Sequence, residues 1–308
     1  MGKHVITING KEIACNSQFG QAEWTFYFFR HLGIEGGTVI EAGASSPESI
    51  SNSRVFIDNG WNAFLIEKER SQCSKWKHFI SNTEKVKIYN KKIEYNSNGL
   101  SKLLDEIGSP QQPEVLFLDI DGGEYQLLEG LHFFRPKVIC VEYDNVYPLN
   151  IDFVPQQIRH GIQASSKAMY RMMLEKGYIY LESFFHDHIF VTKEFLQDCL
   201  KSNLQLLHGR KYFIQNAPVH LYEIHKVLAG FDGKTDPGSL RIELYSGRVR
   251  NLLNDGYRDE ALSFYAYLTL AFKSYISIFR RTSLSKYCES LTEGIEAFHR
   301  EFSEQLFD

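Results

Sequence analysis

The chain has 308 residues, of which 43% are hydrophobic and 23% charged, with 34 Lys and Arg against 38 Asp and Glu for a formal net charge of −4. That length can bury a full α/β core and still carry an appended element, and the ordinary composition excludes disorder over most of it. No Lys/Arg run is long enough to neutralise many phosphates, so nucleic acid is excluded as an expected partner.

The first predicted element is a β-hairpin within residues 4–14, VITINGKEIA, turning at Asn9-Gly10. Gln21 to Leu32 is packed with aromatics and stops at Gly33, which reads as a buried helix with a glycine at its end. From Thr38 short apolar strands alternate with helical segments: TVIEAG, a helix near 48–59, NAFLIEKE, a helix near 70–81, and VKIYNKKI. A helix near 99–107, the strand EVLFLDID, a helix near 123–131, the strand KVICVEYD and a helix near 165–176 continue the series. Such alternation predicts a mostly parallel sheet with helices on both faces. Two strands close together, YIYLESF and HIFVTKE, predict a terminal antiparallel pair.

Beyond residue 196 two apolar segments flank the Gly/Asp/Pro-rich stretch AGFDGKTDPGS, and helical periodicity then runs from about 240 to 306. The expected organisation is a hairpin and helix over 1–35, an α/β domain over 36–195 and a helical region over 196–308. Aromatic residues at core-like spacing, as in DEALSFYAYLTLAFKSYISIF, give that last region a packing role or a role in homo-oligomer formation, ahead of substrate selection.

Cys15, Cys73, Cys140, Cys199 and Cys288 are odd in number, scattered and without a CxxC pair, so reduced core thiols are expected rather than disulfides or zinc ligands. The N-terminus has no apolar signal-peptide core, and no run of about 20 apolar residues occurs. A soluble, cytoplasmic protein without a membrane span is the expectation.

Three constellations carry chemistry. Glu41-Ala42-Gly43-Ala44-Ser45-Ser46 follows a strand and precedes a helix, where a glycine lets the backbone approach a nucleoside and where ligands of open α/β sheets sit. It lacks the glycines of GxGxxG, which disfavours a pyrophosphate-bearing dinucleotide and with it a nicotinamide-dependent oxidoreductase. Glu67 ends the next strand, where a carboxylate can accept both hydroxyls of a ribose. Asp119-Ile120-Asp121-Gly122-Gly123-Glu124 is an acidic turn delivered by a buried strand, with Asp119 and Asp121 expected on opposite sides. A divalent cation, drawing also on Glu142, is an alternative use of this turn that sequence alone does not favour. No residue is assigned as a metal ligand.

These residues also carry a resemblance. GTVIEAGASSPESISNSRVFIDNGWNAFLIEKE, LFLDIDGGEYQLLEGL, KVICVEYDN and Ser17-Gln18-Phe19-Gly20-Gln21 resemble, in order, the motifs of FkbM-like S-adenosylmethionine-dependent methyltransferases over about residues 16–195. The resemblance implies a Rossmann-like class I methyltransferase domain and S-adenosylmethionine as cofactor. It implies a pocket lined by Gln18, Glu41, Gly43, Ser51, Asn52, Glu67 and the Asp119/Asp121 turn, and O-methylation of a hydroxyl on a sugar, glycan or related small molecule. Ala22, Ser46-Pro47 and Lys68 depart from the family pattern, which motivates the alternative of a non-catalytic adenosine-ligand-binding or scaffold protein.

Methyl transfer needs aligned donor and acceptor and a group to take a proton. Asp121, Glu142 and His186 are the candidates, with His188 and His160 as lesser ones. An exposed turn is nonetheless the reading favoured for His186-Asp187-His188.

Overall fold

A computed structural model describes residues 5–8, 11–81, 83–96, 98–196, 237–262, 264–265 and 288–307. The Asn9-Gly10 turn, Cys199, the stretch expected as a linker up to residue 236 and the aromatic run over 266–279 lie outside the described residues. Two compact units are present. One takes its described residues from Met1–Asp144, Gln157–Ala164 and Met169–Tyr212, and the other from Asn145–Gln156, Ser165–Ala168 and Phe213–Asp308.

In the first unit, β1 (Val5–Ile8) and β2 (Lys11–Ala14) pair antiparallel with Ile8 opposite Lys11. Helix α1 (Gln21–His31) follows and ends where Gly33 takes a left-handed φ of 73°, the glycine stop read from the sequence. The remaining strands are β3 (Thr38–Ala42), β4 (Asn62–Glu67), β5 (Val86–Asn90), β6 (Val115–Leu118), β7 (Val138–Glu142), β8 (Tyr178–Phe184) and β9 (Asp187–Thr192). They form one seven-stranded sheet in the order β5-β4-β3-β6-β7-β9-β8. The pairs from β5 through β7 are parallel, and β9 lies antiparallel between β7 and β8.

All four residues of β6 are buried, as its unbroken apolar run VLFL requires of a central strand covered on both faces. The connecting helices are α2 (Arg54–Asp58), α3 (Arg70–Phe79), α4 (Gly99–Glu106), α5 (Glu124–Glu129) and α6 (Ser166–Glu175). Around Trp61, which is 1% exposed, the rings of Phe56, Phe29 and Phe26 gather at centroid distances of 5.0, 5.5 and 6.4 Å. This aromatic cluster anchors α1 and α2 to the sheet.

One helix departs from expectation. The helix read over 48–59 starts only at Arg54, because Ile50 adopts a left-handed φ of 54° and the amides of Asn52 and Ser53 donate to the Glu41 carboxylate instead of entering a helical turn.

The second unit contains α7 (Pro237–Asn254) and α8 (Cys288–Phe307). Tyr265 stacks on Phe298 at 5.3 Å, and Tyr245 meets Phe264 edge-on at 6.2 Å. Residues 145–156 belong to this unit: Tyr147 packs against Phe153 and Phe264, and the Gln156 amide donates to Asp255 Oδ2 at 3.0 Å. No helix among the described residues is long and apolar enough to cross a membrane.

Candidate active site

The loops at the carboxyl ends of β3, β4, β5 and β6 enclose a cleft of about 370 Å³. That is the edge where ligands of open α/β sheets bind, and the volume falls in the roughly 300–1,000 Å³ range of small-molecule sites. Of the residues singled out from sequence, Gln18, Gly43, Glu67, Asp119 and Asp121 line it.

Glu67 is 6% exposed, and its carboxylate bridges two loops: Oε2 accepts from the Ser45 amide at 2.8 Å and Oε1 from the Glu69 amide at 2.6 Å. These two bonds fix the carboxylate at the cleft wall. Each oxygen keeps a lone pair for a further donor.

Glu41, Ser51 and Asn52 do not line the cleft; they are buried in a hydrogen-bonded support for it. Glu41 Oε1 accepts from the Asn52 amide at 2.8 Å, and Oε2 accepts from both the amide and the hydroxyl of Ser53. Burial pushes the Glu41 carboxyl up to about 8 against the pull of those donors. Ser51 Oγ accepts from the Arg54 amide at 3.2 Å. Asn52 Oδ1 accepts from Gln21 Nε2 at 2.9 Å, while Gln21 Oε1 accepts from the Phe19 amide at 2.9 Å. The chain Glu41, Asn52, Gln21, Phe19 thereby ties the β3 loop to the segment that presents Gln18. Ala22 is fully buried, and the carboxylate beside it, Glu23, accepts from the amides of Asn16 and Ser17.

The acidic turn is shaped by three consecutive left-handed residues, Asp121, Gly122 and Gly123, with φ of 61°, 128° and 96°. Aspartate tolerates that region better than most residues, and a side chain at Gly122 would meet the Arg159 carbonyl at 2.4 Å. Glu124 closes the turn, its Oε1 accepting from the amides of Ile120 at 3.1 Å and Gly122 at 2.8 Å.

Asp119, Asp121 and Glu142 each bring a carboxylate oxygen within 4.8 Å of the other two, so the two aspartates do not face opposite sides as expected: β6 ends at Leu118, and Asp121 sits in the turn beyond it with a left-handed φ of 61°. Asp121 is exposed, whereas the Glu142 side chain is 14% exposed and accepts from Gln163 Nε2 at 2.7 Å. Burial and the Asp121 charge raise the Asp119 carboxyl; burial and its acidic neighbours Asp119, Glu124 and Asp187 raise that of Glu142. Burial pushes Glu124 up to about 7 and holds Asp187 well above the usual range.

Glu142 and His186, both singled out from sequence, do not line the cleft; they lie next to the acidic turn, on β7 and at the β8–β9 hairpin. His186 Nε2 lies 3.8 Å from Glu142 Oε1 and 3.7 Å from Asp187 Oδ2, and burial lowers the imidazole to about 4, leaving it neutral near pH 7. The Phe19 ring packs on Phe185 and His186 at 4.8 and 5.0 Å. The exposed-turn reading for 186–188 fails: Asp187 and His188 are 2% and 0% exposed within β9. His188 stacks on Tyr143 at 3.6 Å with its Nδ1 2.6 Å from Ser183 Oγ, so it is a core residue, and burial lowers it to about 3. His160 is exposed.

Sequence reasoning missed the opposite wall, formed by Lys91, Lys92, Ile93 and Tyr95 after β5 together with Gln72 of α3. The signal was present in the chain order, since a strand beside β4 delivers its following loop to the same edge.

A sheet of this order, ending in an antiparallel strand and holding a cleft between a glycine turn, a strand-end glutamate and an acidic turn, is that of a class I methyltransferase. A family model for the methyltransferase FkbM domain matches residues 13–180. The chain belongs to the FkbM methyltransferase family and is an S-adenosylmethionine-dependent methyltransferase.

Similar solved structures include Haemophilus influenzae HI0767, 15% identical with a TM-score of 0.38, covering 62% of this chain and 98% of that one. Another is the fibrillarin pre-rRNA processing protein of Methanococcus jannaschii, at 11% and 0.36, covering 62% and 83%. A third is the N-methyltransferase NodS of Bradyrhizobium japonicum, at 9% and 0.35, covering 57% and 97%. No curated protein matches the chain.

Proposed function

We propose that this enzyme methylates a hydroxyl oxygen of a sugar, glycan or related small molecule in the cytoplasm. The observation that carries the reading is the cluster of Asp119, Asp121 and Glu142, whose oxygens converge within 4.8 Å and of which Asp119 and Asp121 line the cleft. Carboxylates accept hydrogen bonds from hydroxyls and take their protons. The free, buried thiols Cys73 and Cys140 suit a reducing compartment.

In this reading Glu67 accepts from the ribose hydroxyls of the cofactor, Gly43 leaves room for it, and Gln18 and Asp119 complete its cradle. Bound S-adenosylmethionine supplies a methyl group activated on a sulfonium centre. Asp121 is the exposed acid of the cluster, lines the cleft and takes the acceptor's proton, while Glu142 adjoins it outside the cleft lining with His186 3.8 Å from Glu142. A hydroxyl is too weak an acid to ionise beforehand, so proton loss accompanies attack.

The test is incubation with methyl-labelled S-adenosylmethionine and a panel of sugars, phenols, amines and thiols. Label on a hydroxyl acceptor, reduced about 10²–10⁴-fold in kcat by Asp121→Asn with S-adenosylhomocysteine affinity unchanged, is the expected result. Label confined to nitrogen or sulfur acceptors refutes the reading.

A further inference from the structure

The geometry points to a binding site for one divalent cation of the Mg²⁺ or Mn²⁺ kind, formed by Asp119, Asp121 and Glu142 with the His186 imidazole at its edge. Three carboxylate oxygens from two adjacent strand ends, β6 and β7, lie within 4.8 Å of one another, a spread that a cation with oxygen ligands roughly 2.0–2.6 Å away can bridge. Asp121 reaches the cluster from a left-handed turn that two glycines allow, so the backbone is bent in the direction that brings a second aspartate back toward the first.

Acids that merely repel one another would not make a site, and a separate observation supplies the rest. Asp187 is 2% exposed, and its Oδ2 has no hydrogen-bond partner. Asp187 stands directly opposite Glu142 across the β7–β9 ladder, which puts both side chains on one face of the sheet. His186 Nε2 sits between them, 3.7 Å from Asp187 Oδ2 and 3.8 Å from Glu142 Oε1, too far to bond either. On the other flank Glu124, 1% exposed, leaves its Oε2 without a partner too.

Among the described residues no Lys or Arg pairs with any of these five acids. Buried carboxylate oxygens with neither donor nor counter-ion are costly, and a bound cation supplies the missing positive charge. Hard carboxylate oxygens select Mg²⁺ or Mn²⁺, and an imidazole nitrogen at the rim admits Mn²⁺ readily.

The role of the cation rests on the hydroxyl-methylation reading; its binding does not. An acceptor hydroxyl on the cation becomes more acidic. Its O–H bond breaks toward the Asp121 oxygen left off the metal, an O–CH₃ bond forms, and the S–CH₃ bond breaks with its electrons going to sulfur. The sulfonium departs as a neutral thioether.

The experiment is titration of the EDTA-treated, dialysed full chain with MnCl₂, followed by calorimetry and by the loss of free Mn²⁺ electron-spin resonance signal, without cofactor or acceptor. One Mn²⁺ per chain is expected, with affinity reduced by about 100-fold or more in Glu142→Gln, beyond the usual effect of a residue one step removed from a metal. Asp121→Asn is the second variant, because asparagine keeps the left-handed backbone and circular dichroism can verify its fold. No saturable binding to the folded wild type, or binding unchanged in a folded variant of either kind, overturns the inference. S-adenosylhomocysteine binding is measured separately: Mn²⁺ binding without it leaves the cation site standing and removes the methyl-transfer reading, and the converse result removes the cation site alone.

Discussion

The Gly43 backbone lies against the carbonyl oxygen of Asp119 so closely that a Cβ on Gly43 would stand 1.7 Å from it. This contact joins the β3 glycine turn to the acidic turn after β6, and Gly43 holds it at a φ of 90°. Gly43→Ala therefore meets both a steric clash and a strained dihedral, of which the second alone costs roughly 1–3 kcal/mol. We expect a loss of more than about 2 kcal/mol in urea denaturation, together with weakened S-adenosylhomocysteine binding. A variant of unchanged stability would mean that the two turns are not in contact.

The aromatic cluster gives a graded prediction. Trp61→Ala removes the ring at the centre of Phe56, Phe29 and Phe26 and is expected to cost about 3–5 kcal/mol. Trp61→Phe keeps an aromatic ring and removes an Nε1–H that is buried without a partner, so its cost should stay below about 1.5 kcal/mol. Equal losses in the two variants, measured by chemical denaturation, would contradict this packing.

How much of this was legible in the sequence follows from the range of each interaction. The strands were visible because a parallel core strand must be apolar along its length, as VLFL is. The Glu67 and Asp119 positions were visible because strand ends deliver them. The late start of α2 was not, since it depends on Glu41, eleven residues before Asn52, competing for that residue's amide. The burial of Asp187 and His188 escaped for a similar reason. Both lie on a strand enclosed between β7 and β8, a fact of topology that the local string FHDHIF does not contain. Nor did local pattern show that residues 145–156 pack in the helical unit, where their partners are about a hundred positions away, as for Gln156 and Asp255.

His188 makes stability depend on pH. Its imidazole is lowered from 6.5 to about 3 by burial, so the folded chain keeps it neutral while the unfolded chain protonates it as pH falls below 6.5. The stabilisation is present above pH 6.5 and is lost toward pH 3, with a slope of at most about 1.4 kcal/mol per pH unit from this group. Unfolding free energies at pH 7 and pH 5 should differ less in His188→Gln than in the wild type. An identical pH slope in both would show that His188 is solvated in the folded state.

Calorimetric titration of the wild type and of Glu67→Ala with S-adenosylhomocysteine tests the central claim most directly. Glu67 has its carboxylate fixed by the Ser45 and Glu69 amides at the cleft wall, so its removal takes away the acceptor for the ribose hydroxyls and loosens two loops. The account predicts saturable binding at one site per chain, weakened about 10–100-fold in the variant, the equivalent of roughly 1.5–3 kcal/mol for bonds to a charged group. Absence of binding to the folded wild type, or equal affinity in the two proteins, would contradict it.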